Sequence, residues 1–354
     1  MSASLQQGHP SRAAGITLIV ATLLSWAAVP LFLRVFREWG LDAFSSNGWR
    51  YGISAAFWLP FLYVTWRRGR LPASLLAAAI VPFLFNAVGQ TFFAWVFYIL
   101  DPGFGTFIFR VQIVFVTIGA WLLFPAERGT LRSPRYWIGV AGVVLGSVGL
   151  VVFSGQAPRG ATAVGIAVAL ASGALFAGYG LAVRYYVSQY HPVTAFGVIC
   201  QYTAGGVLAV MFAMQALQPA AFGKVDAALP LSFDLWQWFM LVASAFIGIA
   251  ISHVLYYAAL TRLGVAVSVG IIQLQPVLTA TTSSLIGWDR LNAAQWASGL
   301  VGVVGAIVML TARRRPETGP AELAAPLDVG EESEIAVHRE PSSTSPPATP
   351  PPPR

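Results

Sequence analysis

The sequence predicts an all-α polytopic membrane protein with ten transmembrane helices arranged as two inverted five-helix repeats. Three observations lead there. Of 354 residues, 10% are charged and 56% hydrophobic, with 34 glycines besides, whereas a soluble domain carries about 25% charged residues. Mean hydropathy is +0.68, and so little polar surface would not keep a chain of this size in water. Apolar runs long enough to cross a bilayer core, about 20 residues each, recur ten times. The first five runs match the second five at a nearly constant offset.

The runs lie at about 13–36, 44–66, 73–99, 103–125, 135–154, 163–187, 193–217, 235–260, 265–287 and 294–312. Turn or charge signals separate them: Arg67-Arg68-Gly69-Arg70, Asp101-Pro102-Gly103, Glu127-Arg128-Gly129 and Ala157-Pro158-Arg159-Gly160. Asp234 and Asn292 stand where helix N-caps belong. Helices that are apolar all round carry little moment, so periodicity does not say which face points inward. Four segments follow: a short cytoplasmic N-terminus at 1–12, a first repeat at 13–154, a second at 163–312, and a tail at 316–354. Arg12 precedes a run with no convincing cleavage site, which reads as a retained signal anchor. The tail holds ten prolines and seven acids, a composition expected to remain disordered.

Charge gives the orientation. With the N-terminus inside, the cytoplasmic side collects 12 Arg, against five Arg or Lys outside (Arg34, Arg37, Arg159, Lys224 and Arg290), so both termini are expected in the cytoplasm. The net charge of +7 therefore reports topology and not affinity for nucleic acid. The lone cysteine, Cys200, excludes an intrachain disulfide or thiolate metal site. Twenty arginines against one lysine hint at a GC-rich bacterial genome and at nothing more; the expected location of the multi-pass chain is a bacterial inner membrane.

An offset of 150 lays Gly15 on Gly165, Trp26 on Phe176, Arg34 on Arg184 and Arg50 on Cys200. An offset of 161 lays Gly103 on Gly264 and Gln112 on Gln273, and one of 160 lays Gly139 and Gly142 on Gly299 and Gly302. Five spans per repeat is an odd number, so the second repeat crosses in the opposite sense. Inverted repeats of this kind characterise secondary transporters, whose central site is opened to one side and then the other.

With these residues in place, the chain resembles the drug/metabolite transporter superfamily, in particular its ten-span members built from two EamA repeats. The residues carrying the resemblance are Trp26, Arg50, Glu127-Arg128, Pro276, Asp289, and the glycine pairs Gly139/Gly142 and Gly299/Gly302. It covers about 13–312. Phe115 stands where the first repeat of such proteins often has proline, so no helix break is implied in span 4, and Asp289 replaces the commoner Glu. The resemblance implies export or exchange of a small organic metabolite, such as an amino acid or related compound, through a cavity between the halves.

Ionisable side chains within a span are costly and commonly functional. Arg110 is the foremost candidate and Arg50 the second; each reads as a clamp for a carboxylate or other anion, or else as a snorkelling or structural arginine. Asn86 and Gln90 share a face with Phe93 and Phe97; Ser268, Gln275, Thr279 and Thr282 share one on span 9; Gln201 lies near the middle of span 7. Such residues line a cavity or bond one helix to another. Trp26, Tyr98, Trp95 and Tyr256 offer aromatic walls, with packing or interfacial roles as the alternative. His253, within span 8, relays protons or is a buried neutral side chain. No acid lies deep in a span: Asp101, Glu127, Asp234 and Asp289 all sit at ends. The glycines Gly139, Gly142, Gly146 and Gly149 pack against a neighbouring helix or form a homodimer face.

No constellation for catalysis, metal binding or a cofactor is recognisable, so the expected partners are a small-molecule substrate and the bilayer. A non-transporting receptor or assembly protein, recruiting a partner through the Pro-rich tail, is the alternative function.

Overall fold

Residues 11–100, 108–109, 112–153, 155, 163–220, 223–288 and 290–312 are described by a computed structural model. Arg110, Asp101-Pro102-Gly103, the turn at 157–160, Asp289, residues 1–10, the side chain of Phe97 and the tail at 316–354 lie outside them.

Among the described residues every regular element is helical. The first half contains α1 (Arg12–Glu38), α2 (Ala43–Arg67), α3 (Ala73–Ala78), α4 (Ile80–Ile99), α5 (Gln112–Leu123), the one-turn α6 (Arg128–Leu131) and α7 (Pro134–Val152). The second contains α8 (Ala163–Ala182), α9 (Pro192–Leu217), α10 (Leu235–Ala245), α11 (Ser252–Leu263), α12 (Val265–Ile272), α13 (Gln275–Leu285) and α14 (Ala293–Leu310). Eight stretches are long and apolar enough to cross a membrane: α1, Ala73–Val96, α7, Ala163–Val187, α9, Leu235–Leu263, Val265–Leu285 and α14. Helix α5 is apolar but shorter. Helix α2 runs for 25 residues and carries the buried polar side chains Ser45, Ser46, Asn47, Arg50 and Ser54.

Local chemistry sets the ends and the interruptions. The Asp42 carboxylate accepts from the backbone N–H of Phe44 and Ser45, both at 2.9 Å, and so starts α2. Asp234 and Asn292 each close a capping box with the glutamine three residues on, satisfying N–H groups that a helix start leaves orphaned. The run at 265–287 is not one continuous helix. It turns at Gln273-Leu274, because Pro276 has no N–H for the carbonyl of Ile272 and its ring crowds that turn. No such break occurs at Phe115, which α5 passes through. The run at 235–260 widens into a π turn at Phe246–Ile251.

The closest packing pairs elements of the first half with elements of the second: α7 with α14, α2 with α9, α4 with α8, α1 with α11, α4 with α9 and α5 with α8; α5 also touches α12. The glycine face of α7 is buried against α14. A Cβ on Gly146 would stand 2.6 Å from the Gly302 nitrogen, and one on Gly305 would stand 2.7 Å from the Val143 nitrogen. Only glycines let the two backbones approach so closely, and that face is not open to a second copy. Large apolar side chains such as Leu24, Leu59, Trp66, Leu122, Leu145 and Leu300 are exposed on the outside of the helices, as lipid contact requires.

Candidate functional site

A cavity lies between the two halves, lined from α1, α2, α4, α5, α8, the π turn, α11, α12 and α13. Its one charged side chain among the described residues is Arg50. Two turns into α2, Arg50 shares a face with Asn47 and Ser54. The Ser54 hydroxyl donates to the carbonyls of Arg50 (2.9 Å) and Ala245 (3.1 Å), tying α2 to α10 at this level. Arg50 is 3% exposed. Its Nε is buried without a hydrogen-bond partner, and the ion pairs formed among the described residues involve other cations. A guanidinium removed from water and left unpaired is costly. The cavity is where that cost can be offset.

Trp26 forms the adjacent wall. Its Nε1 donates to the Ser252 hydroxyl at 2.9 Å, and its ring lies 5.1 Å from His253 and 5.0 Å from Tyr256. Pro30, inside α1, has no N–H to give the carbonyl four residues back, which is that of Trp26. Gln275 supplies the missing donor: its Nε2 reaches the Trp26 carbonyl at 2.9 Å, and the Thr279 hydroxyl reaches that of Ala27 at 2.8 Å. One N–H of the Gln275 amide is thus engaged, which leaves its second N–H and its Oε1 for other contacts. The His253 ring stacks on Phe196 at 5.0 Å, and its Nδ1 lies 3.1 Å from the Ile249 carbonyl. That contact assigns the proton to Nδ1 and leaves Nε2 as an acceptor.

Of the residues singled out in the sequence, the cavity gathers Arg50, Trp26, Gln90, His253 and Gln275, with Tyr256 and Phe93 among its aromatic walls. Three others bond helices together away from the lining. Asn86 Nδ2 donates to the hydroxyls of Tyr51 (3.3 Å) and Thr203 (3.1 Å). Gln201 Nε2 donates to the Ala55 carbonyl at 2.8 Å, and the Tyr98 hydroxyl to that of Leu41 at 2.7 Å. Their contacts are those of interhelical bonds. Sequence reasoning passed over Gln112, Phe109, Phe176, Tyr179 and Gly248 as lining residues. A signal existed for Gln112 and Phe176, the repeat partners of Gln273 and Trp26.

A second polar centre lies outside the cavity. Glu127, 3% exposed, accepts from the backbone N–H of Val265 at 2.9 Å and of Ala266 at 3.0 Å, with Arg184 Nε 3.9 Å away. A carboxylate from the end of the first half's fourth run thus caps the start of α12 in the second half, where a helix N-terminus favours negative charge.

The sequence model of the EamA-like transporter family matches the chain twice, over residues 13–153 and 163–311. No curated protein matches it. Among solved structures it is similar to a protein known from a crystal structure, at 19% identity and a TM-score of 0.62, over 86% of this chain and 100% of the other. At that identity the likeness speaks for the fold alone.

Proposed function

The chain belongs to the EamA-like transporter family, a family of membrane transporters of small molecules, and from that premise we propose that it moves a small organic metabolite bearing an anionic group by alternating access. Arg50 carries this reading: it is a buried guanidinium, unpaired among the described residues, on the wall of a cavity between the halves. A substrate carboxylate or phosphate would supply the missing charge through the planar fork of the arginine. In this reading Trp26 and Tyr256 pack against the substrate body, while Gln90, Gln275 and His253 offer neutral polar contacts. Arg110 remains in the reading as a second cation, supported by its neighbours Phe109 and Gln112, which both line the cavity. Asn86, Gln201 and Tyr98 act at one remove, by fixing the helices that carry the lining.

The proposed architecture is ten spans in two inverted repeats, with α2 and the run containing α5 supplying the two beyond the eight. The pairing of helices supports it. Exchanging the halves turns the α1–α11 pair into α8–α4 and maps the α2–α9, α5–α12 and α7–α14 pairs onto themselves. A pseudo-two-fold relation of that kind is what a rocking transporter needs. Both termini are proposed to be cytoplasmic in a bacterial inner membrane, on the arginine bias. Export is proposed on the family resemblance alone. The homodimer loses its argument because α14 covers the glycine face of α7, and no observation favours the receptor reading.

The test is a thermal-shift comparison of purified protein with organic acids, amino acids and amines, followed by counterflow in proteoliposomes of whichever compound stabilises it. Carboxylates should stabilise the wild type and leave Arg50→Gln unmoved. Equal stabilisation of the variant would contradict the reading.

A further inference from the structure

We propose that the cavity selects organic anions with an aromatic or comparably bulky apolar body, and discriminates against molecules that carry an ammonium group. The inference rests on Arg50 being the anion anchor and goes on to the rest of the substrate. The aromatic side chains of Trp26, Phe93, Phe109, Phe176, Tyr179 and Tyr256 line the cavity with Arg50, so a substrate body there exchanges water for apolar contact. No acid lies among the described residues that line the cavity. The seven acids of residues 1–315 all fall at or beyond the ends of the apolar runs.

An amino acid fits such a site poorly. Its α-ammonium is bonded to the carbon next to its carboxylate, so a carboxylate held by Arg50 brings that ammonium close to a like charge in a poorly screened place. The groups available to it are neutral. The amide oxygens of Gln90, Gln112 and Gln275 and the His253 Nε2 can accept hydrogen bonds, and the rings that line the cavity add a cation–π attraction. None of these replaces the hydration of a full positive charge as a carboxylate would. Removing the ammonium while keeping the carboxylate and the body removes both costs.

Three probes with one phenyl body separate the alternatives: 3-phenylpropanoate (anion), phenylalanine (zwitterion) and phenethylamine (cation), with acetate as a carboxylate lacking the body. Each is titrated calorimetrically into the detergent-purified full-length protein, its Arg50→Gln variant and its Arg50→Lys variant. The expected order is 3-phenylpropanoate tightest, with phenylalanine and acetate each weaker by at least about tenfold and phenethylamine without measurable binding. Arg50→Gln should lose the anion, and Arg50→Lys should recover part of the affinity, since it keeps the charge without the fork. Phenylalanine binding as tightly as 3-phenylpropanoate, or failure of every probe to bind the wild type, would overturn this inference. Loss of phenylalanine in Arg50→Gln would then still uphold Arg50 as the anchor. Undiminished binding of 3-phenylpropanoate to Arg50→Gln would instead overturn the anchor itself.

Discussion

The Arg50 guanidinium rests against Gly248: a Cβ at position 248 would stand 2.7 Å from Arg50 Nη2 and 2.8 Å from a methyl of Val29. Gly248 lies in the π turn Phe246–Ile251, where an extra residue per turn shifts the register of the backbone. Such bulges recur at functional sites. Here the bulge and the missing side chain together make the room that keeps a charged group at the cavity wall.

Gly248→Ala should therefore displace the guanidinium. Overpacking of this kind costs about 1–3 kcal/mol, so the variant is expected to fold with a lowered melting temperature. Its affinity for organic acids should fall by about tenfold or more, because fork geometry is lost. Calorimetric titration alongside thermal unfolding checks both, and wild-type affinity in a folded Gly248→Ala protein would count against the fit described.

Glu127 joins the halves through two backbone N–H groups of α12. Glu127→Ala leaves both buried donors without their acceptor, at about 1–3 kcal/mol for each unsatisfied group. Glu127→Gln retains one carbonyl oxygen and should cost less. Melting temperatures are expected to fall in the order wild type, Gln, Ala; equal values for wild type and Ala would show that the contact does not hold the halves.

The glycines divide into those that permit contact and those that merely occupy a position. A Cβ at Gly146 meets the backbone of Ser298 and Gly302 at 2.6 Å, whereas one at Gly205, inside α9, meets nothing within 4 Å. Backbone atoms cannot swing away as a side-chain tip can. Gly146→Ala should destabilise by about 1–3 kcal/mol or more. Gly205→Ala should be neutral or stabilise by up to about 1 kcal/mol, since alanine is the better helix former. Parallel thermal melts decide it, and equal shifts in the two variants would refute the packing argument.

For orientation, Arg68 and Lys224 are the discriminating positions. Lys224 is highly exposed and pairs with Asp226 at 3.3 Å, a hydrogen bond that also holds the Asp226 carboxyl below its usual pKa. In a Cys200→Ser background, a cysteine at 224 should react with an impermeant maleimide from outside intact cells. A cysteine at 68 should react only in inverted membranes, and labelling of both from one face would remove the ten-span arrangement.

Much of the helical framework could be read from residue types alone: the apolar runs, the Asp234 and Asn292 caps, and the glycine face that α7 turns to α14. Direction within a span could not. Asn86 and Gln90 lie one turn apart on α4, yet the first bonds to Tyr51 and Thr203 while the second lines the cavity. A helix surrounded by apolar neighbours and lipid gives no moment to separate them. Gln275 poses the same difficulty, since its partner is a carbonyl freed by Pro30 and distant in sequence. The fit of Arg50 to Gly248 depends on a π turn that no spacing signals. Between the two arginines, of similar depth in their runs, the family resemblance put Arg110 first by hinting at a structural role for Arg50, whereas burial and placement on the cavity wall bring Arg50 forward.

The most direct test is counterflow of labelled 3-phenylpropanoate into proteoliposomes preloaded with the unlabelled compound. Wild-type protein should accumulate label, Arg50→Lys should do so more slowly, and Arg50→Gln should match protein-free liposomes. A folded Arg50→Gln variant that exchanges label at the wild-type rate would contradict an anion held by Arg50 between the two halves.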